Sequence, residues 1–438
     1  MPSPQLSVAR SSADASSAQS VDQSVAQSSL PYPSSPHPSS PHRSSAFQPD
    51  LSDPIVAKAA ALRDAFAVDA PARDQAGGRP VDQVRLLKES GLLVAAIPVQ
   101  YGGGGASWLS ILRAVREIAR TDGSVAHLFG YHHLPQHNVL SRATPDQQQR
   151  LMRAAVGGNW LWSNSGNALS KTSTARRSPD DTGWLVSGFR PFSSGSHVAD
   201  VIMMSWENAL GQRLSGLVPA SRAGIVIEDD WDGIGQRQTG SGTVTFNDVR
   251  VADDELLGRA DDALTPFVSL VSLLQQSVLL NVFLGSAQGA LDEGRAYTRS
   301  QSRPWIHSGV DRHVDDPWIK RKYGELSIRV LAAIELADQA ARSLDEIYPD
   351  GRALTLARRG QAAIDIAAAN LYAGDTGLAV SNDIFEVMGA RSATVANGFD
   401  RFWRNVRTHT LHNPAEYKKR SVGNWVLGGG YPVPAAYR

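Results

Sequence analysis

Residues 399–414 read Phe-Asp-Arg-Phe-Trp-Arg-Asn-Val-Arg-Thr-His-Thr-Leu-His-Asn-Pro. On a helix His409 and His412 stand at i and i+3 and share a face. Arg401, Arg404 and Arg407 lie on the same segment, with Arg391 just upstream in Gly389-Ala-Arg391. Imidazoles move protons near neutral pH, and arginine forks suit phosphate. A solvated basic helix end is the other reading, and these residues alone leave both open.

Upstream, residues 264–300, 317–347 and 354–387 carry long apolar periodicity. With the shorter segment from about Phe399 they predict a four-helix bundle. Small residues mark the packing side, as in GQAAIDIAAANL at 360–371. Between 159 and 258 the texture changes to short apolar runs divided by Gly, Asn and Asp. Residues 184–188, 201–206, 214–219, 224–227 and 243–246 fit strands of a compact β-domain. From 52 to 151 the pattern is helical again, most clearly at 109–118 (LSILRAVREI). Four consecutive glycines, Gly102 to Gly105, lack the Walker lysine and the Rossmann spacing, so they break the chain rather than cradle phosphate. Residues 1 to about 50 are rich in Ser, Pro, Gln and Ala and read as a disordered tail. The expected organisation is a Ser/Pro-rich tail at 1–52, an N-terminal helical domain at 53–155, a middle β-domain at 156–260 and a C-terminal helical bundle at 261–438. The fold class is α+β, mostly α.

Lys plus Arg and Asp plus Glu number 43 each, so charge makes no case for nucleic acid or an anionic membrane. Cysteine is absent, which excludes disulfides, thiolate nucleophiles, Cys-ligated zinc and iron–sulfur clusters. A cytoplasmic location fits. No apolar run approaches the roughly 20 residues that span a bilayer, and the N-terminus lacks the apolar centre of a signal peptide.

Three further clusters could carry chemistry. Tyr131, His132 and His133, with His137 and Asn138 after them, place a phenol and imidazoles at a helix end. Pocket lining, packing and metal ligation compete there; no Asp or Glu lies near, and a third helical ligand is lacking, so no metal is expected. Trp160 and Trp162 adjoin Ser163-Asn164-Ser165-Gly166-Asn167. Hydroxyls, carboxamides and bare amides of that kind hydrogen-bond the edge of a flat cofactor, and aromatics cover its face; a polar turn with core tryptophans is the alternative. Phe192-Ser193-Ser194-Gly195-Ser196-His197 lacks the Gly-x-Ser-x-Gly elbow, so a cofactor-bonding hydroxyl is a better reading than a hydrolase serine. Arg303, in Gln301-Ser-Arg-Pro-Trp305, is another phosphate candidate.

Together these segments resemble the acyl-CoA dehydrogenase superfamily, with its N-terminal helical domain, middle β-barrel domain and C-terminal four-helix bundle. The nearer likeness is to its oxygenase branch, the reduced-flavin-dependent dibenzothiophene monooxygenases. It is carried by VQYGGG at 99–104, DGSVAHLFGYH at 122–132, DDWDGIGQRQTGSG at 229–242, residues 289–305 and residues 399–414, and runs from roughly 53 to 431. The resemblance implies a two-component enzyme. A separate NAD(P)H-dependent flavin reductase supplies FMNH2, O2 is the co-substrate, and a C4a-hydroperoxyflavin oxygenates an organosulfur compound from sulfide to sulfoxide to sulfone. It also implies a homotetramer. An aromatic hydroxylase or a dehydrogenase-like desaturase is the alternative within flavin chemistry, and a catalytically silent scaffold the alternative outside it.

Position by position, the resemblance puts His132 and Tyr131 beside substrate and flavin. It puts Asn164 (in Ser-Asn-Ser, where the family has Gly-Asn-Ala) and Ser194 at the flavin's reactive edge. His409 and His412 match its Thr-His-Ser-Leu-His, with His412 as proton manager. Arg303 and Arg391 fall on the FMN phosphate across a subunit boundary, and Trp231 near the pocket. Many dehydrogenases of the superfamily carry a catalytic Glu in the last segment; here Asn413-Pro414 stands, and an amide cannot be that base. Trp162, Ser163, Ser165, His133 and Pro135 depart from the oxygenases, which implies a reshaped pocket.

Overall fold

Several helix starts are written into the sequence as side-chain caps. Asp53 accepts from the amides of Ile55 and Val56 ahead of α1 (Pro54–Ala67). After α2 (Ala70–Ala76) and α3 (Val81–Ser90), Ser107 caps α4 (Trp108–Ala119) and Asp122 caps α5 (Gly123–Arg142). Thr144 and Gln147 form a capping box on α6 (Pro145–Gly158). The computed structural model describes residues 48–435 apart from Ala168, Ala260, Asp261 and Ala263; most of the expected tail therefore lies outside the described residues.

The middle of the chain supplies β1 (Trp162–Ser165), β2 (Ser173–Arg177), β3 (Gly183–Arg190), β4 (Val201–Glu207), β5 (Arg213–Pro219), β6 (Ile225–Ile227) and β7 (Val244–Ala252). They form one sheet in the order β1-β4-β2-β3-β7-β6, with β5 pairing the other side of β4. The sheet curls so that Gly216 of β5 comes against Val251 of β7, enclosing Trp206, Val186, Phe246 and Val249. The runs at 184–188, 201–206 and 214–219 lie on strands, and those at 224–227 and 243–246 do so from Ile225 and Val244 onward. β1 and β2 are additions, because their polar Ser, Asn, Thr and Arg side chains give no apolar alternation.

Three long helices follow, α7 (Leu270–Ser300), α8 (Pro317–Ile347) and α9 (Leu356–Met388), then α10 (Asp400–Thr410) and α11 (Ala415–Gly428). α10 completes the bundle between α7 and α9. One core runs through both helical regions, joining Leu112 and Phe129 to Phe283, Ala337, Ile366 and Val406. Burial of side chains the size of Phe283 or Leu112 contributes about 2–3 kcal/mol each. A β-carbon at Gly289 would collide with the carbonyl of Arg120, so glycine there lets α7 and α4 touch backbone to backbone. Against the expectation that no apolar run approaches a bilayer span, α7 is apolar and long enough to cross a membrane by length and composition, but 89% of its apolar stretch is buried inside the protein. The four glycines serve close packing. Gly104, Gly105 and Ala106 donate their amides to the carbonyls of Val94, Ile97 and Ala95 at 2.8–3.1 Å, so these donors are spent within the fold.

Candidate active site

The site is organised by α5, which is buried almost throughout. The sequence places Tyr131 and the adjacent histidines at a helix end; the structure instead runs α5 through them and through Pro135 to Arg142. Tertiary burial on all sides outweighs the one backbone hydrogen bond that an interior proline removes.

On one side of α5 three rings stack. His127 lies 4.0 Å from Tyr131 and 4.4 Å from His409, the latter pair nearly parallel at 23°. His127 and His409 are buried, and neither His127 ring nitrogen nor Nδ1 of His409 has a hydrogen-bond partner. Burial, reinforced by the charge of His412, lowers His127 to about 3. Burial also holds His409 well below the usual histidine range, with His127 and His412 adding to the effect. His412 continues the line outward. Its Nε2 accepts from the Gln275 carboxamide at 3.3 Å. It keeps solvent contact, and the protein around it, with the Lys418 ammonium, lowers it too.

His409 and His412 open into a cavity of about 120 Å³ between α7, α9 and the α10–α11 turn. Asn413, Lys418, Gln276 and Asn370 also line it. Asp375 is the one carboxylate among the described lining residues, and it lies exposed at the rim. Glu416 is turned out to solvent and pairs with Lys419 at 2.8 Å.

His132, by contrast, has both ring nitrogens engaged. Nδ1 accepts from the Trp162 amide at 2.9 Å, which leaves Nε2 protonated to donate to the Leu93 carbonyl at 2.7 Å. Burial, then the neighbouring His133, keeps it neutral. It ties α5 to β1. Strand alternation then puts Ser163 and Ser165 on one face of β1 and Trp162 and Asn164 on the other. Ser163 donates to the Ser194 carbonyl at 2.9 Å, and Ser165 bonds Ser193 at 2.7 Å. The Asn164 side-chain oxygen is buried with no hydrogen-bond partner. Asn164 and Ser194 thus belong to neighbouring backbone but approach from opposite faces of β1.

The Ser194 turn packs on α5, since a β-carbon at Gly195 would meet Leu128 at 3.1 Å. Its hydroxyl begins a chain: Ser194 to Ser241 at 2.7 Å, Ser241 to Thr239 at 2.6 Å, Thr239 to the Gln236 carbonyl at 2.8 Å. A carbonyl can only accept, so Thr239 donates to it, Ser241 donates to Thr239, and Ser194 donates to Ser241. Ser194 therefore offers lone pairs to any further partner. Trp231 also donates to the Gln236 carbonyl, at 2.9 Å, and the Gln236 amide donates to Asn405 of α10 at 2.6 Å. The loop at 231–242 so links the Ser194 turn to the histidine helix. Gly235 is required there, because a β-carbon would strike the Arg404 carbonyl.

The arginines separate by role. Arg401 is buried, pairs with Glu293 and lies over the Phe402 ring at 4.1 Å. Arg404 pairs with Asp74 and Asp400. Both are engaged inside the fold. Arg303 and Arg391 are exposed on adjacent loops, joined by the Ser302 hydroxyl donating to the Met388 carbonyl at 2.7 Å. They lie beyond the far end of α7, about 25–30 Å from Phe283 in the cavity wall at 1.5 Å per residue. His127 and Lys418 were not singled out from the sequence. The i, i+4 spacing of His127 and Tyr131 was the available signal for the first; nothing local marks the second.

The pattern of the family "Acyl-CoA dehydrogenase, N-terminal domain" matches residues 57–159, and that of "Acyl-CoA dehydrogenase, C-terminal domain" matches residues 278–416. A Pseudomonas putida protein named a probable FMNH2-dependent monooxygenase, SfnC, is 40% identical over 88% of this chain and 97% of its own length. The structure of methanesulfinate monooxygenase MsuC from Pseudomonas fluorescens superposes with a TM-score of 0.85 at 38% identity, covering 88% of this chain and 99% of that one. The dibenzothiophene monooxygenase TdsC of a Paenibacillus species, solved with FMN and indole, gives 0.84 at 36% identity over 88% and 100%. Fold, order of elements and these likenesses agree: the chain belongs to the acyl-CoA dehydrogenase superfamily, in its branch of dibenzothiophene monooxygenase-like flavin-dependent monooxygenases.

Proposed function

We propose that this chain is the oxygenase of a two-component system, taking FMNH2 from a separate NAD(P)H-dependent flavin reductase and using O2 to oxygenate an organosulfur compound. A cytoplasmic location goes with that supply of reductant. The observation that carries the reading is the pair His409 and His412 at a cavity where Asn413 stands and Glu416 faces away. The site offers neutral imidazoles to manage a proton, and among the described residues no inward carboxylate stands there to abstract one from carbon.

The residues present fit a flavin. Among the described residues the buried Asn164 oxygen and the Nδ1 of His409 have no hydrogen-bond partner, and buried polar atoms are ordinarily satisfied. The Ser194 oxygen, held as an acceptor, suits the N–H of a reduced flavin ring. Bound FMNH2 supplies two electrons and, with O2, the oxygen atom delivered to sulfur. Around it, His412 holds or yields a proton at Nε2, while His409, His127 and Tyr131 keep its inner side dry. His132 acts by holding β1, and Trp231 by holding the loop behind Ser194. Arg303 and Arg391 are too far along α7 to serve the same cavity in one chain. Their role toward the FMN phosphate therefore belongs to a neighbouring subunit, as in a homotetramer.

The test uses the chain with a flavin reductase, NADH, FMN, O2 and dibenzothiophene. A product heavier by one or two oxygens is expected. Reduction of enzyme-bound flavin by an acyl-CoA without O2 would select the desaturase and discard this reading.

A further inference from the structure

We propose that the two cavities meeting at Lys418 form a binding site for an organic anion, with its apolar body in the larger cavity and its negative headgroup on the Lys418 ammonium. The larger cavity, about 360 Å³, is lined chiefly by Leu169, Leu273, Ala363, Ala367 and Tyr417. Lys418, Gln276 and Asn413 line both this cavity and the smaller one that holds His409 and His412.

Lys418 is only 8% exposed. It makes one long hydrogen bond, to the Asn413 carbonyl at 3.5 Å, and among the described residues no carboxylate lies within ion-pair distance. The acids close in sequence or space are otherwise placed: Glu416 is on Lys419, and Asp375 is at the exposed rim. The other titratable residues lining the two cavities are Arg407, His409, His412 and Tyr417, and none of them is a carboxylate. A buried ammonium without a counter-charge is costly, and a bound anion removes that cost. The Gln276 carboxamide beside it gives one hydrogen to the Ser272 carbonyl at 3.1 Å and has a second to offer a headgroup oxygen. Burial lowers Lys418 to about 8, so the cation persists at neutral pH. Its charge in turn depresses His412, so neutralising it would make the His412 ring more basic.

The class of anion rests on the oxygenase reading above: of the oxyanions of sulfur, a sulfinate keeps the lone pair on sulfur that accepts an oxygen atom, whereas a sulfonate has none left, so a sulfinate is the anion we assign. The site itself can be tested without turnover. Calorimetric titration of the full chain, free of flavin, would compare benzenesulfinate with its neutral counterpart methyl phenyl sulfone. We expect the anion to bind roughly tenfold or more tightly than the sulfone. In Lys418→Met the anion should fall to the level of the sulfone, while the sulfone is unchanged; Lys418→Arg should keep most of the preference. The His412 ring, followed by NMR, should titrate at higher pH when benzenesulfinate is bound. Equal binding of both compounds by the unaltered chain would overturn the proposal, as would Lys418→Met retaining the anion within about twofold. Loss of FMN affinity in Lys418→Met with sulfinate binding intact would assign the ammonium to the flavin instead. An enzyme that shows this binding pattern but oxygenates nothing would sink the functional reading and leave the site standing.

Discussion

His127 and His409 lie ring on ring, centroids 4.4 Å apart, although one belongs to the N-terminal helices and the other to the last helix of the bundle. Packed ring on ring and out of water, neither can take a proton cheaply. Unfolded histidines protonate near 6.5, whereas folded His127 does so only near 3. Between those values the unfolded chain binds more protons, so the stability is full above about pH 6.5 and declines as pH falls. At pH 5 the His127 contribution to that loss is about 2 kcal/mol. His127→Phe keeps a ring in the stack and removes the titration. Urea midpoints at pH 7 and pH 5 should therefore differ less in the variant; an unchanged difference would show that the ring is not held neutral by the fold.

The proton on Ser194 is set from Thr239, two hydroxyls away. Thr239→Val keeps the shape of the side chain but removes the donor to Gln236 and the acceptor for Ser241. Ser241 can then donate back to Ser194, which frees the Ser194 proton. The expected outcome is a smaller preference for reduced over oxidised FMN, by roughly tenfold. Anaerobic and aerobic flavin titrations read it directly, and an unaltered ratio would remove Thr239 from flavin selection.

Arg401 and Arg391 should fail in opposite ways. Arg401→Ala strands Glu293 and empties the face of Phe402. Because Glu293 is partly exposed, the loss is about 2–3 kcal/mol rather than the full cost of a deeply buried pair. Arg391→Ala should change stability by no more than about 0.5 kcal/mol, yet weaken FMN binding roughly tenfold through loss of a phosphate contact. Denaturation and flavin titration of both variants separate the two roles.

His412 sits at the rim of the cavity and carries little packing, so His412→Ala should fold as the parent does. Its product yield should fall by roughly 100-fold, the scale of a lost general acid or base. NADH consumption should continue, with hydrogen peroxide as the product. Normal oxygenation by the variant would take His412 out of the proton path.

Much of this was legible in the chain. The helix periodicity of 317–347 coincides with α8, and the apolar runs from 184 onward became strands, because those elements bury one face or both and their spacing records it. That His409 and His412 line one cavity, with Asn413 in place of a base, is also local, since they are three residues apart. But α10 ends at Thr410, so His409 is buried on the helix while His412 stands exposed in the turn after it, and the shared helix face expected from the sequence is not formed. Polar β1 gave no periodic signal, and Tyr131 with its histidines read as a helix end although α5 continues through them to Arg142. Arg401 and Arg391 look alike in sequence; partners far away in the chain, Glu293 for one and solvent for the other, make them different. Sequence by itself determined the element types, their order and the family likeness, which depend on neighbours along the chain. Only the tertiary structure decided that His127 joins the histidine pair, that the Ser194 oxygen is an acceptor, and that Lys418 lies buried with no carboxylate in ion-pair reach among the described residues. Burial and hydrogen-bond direction are properties of what surrounds a side chain in space, and helices distant in sequence supply those surroundings.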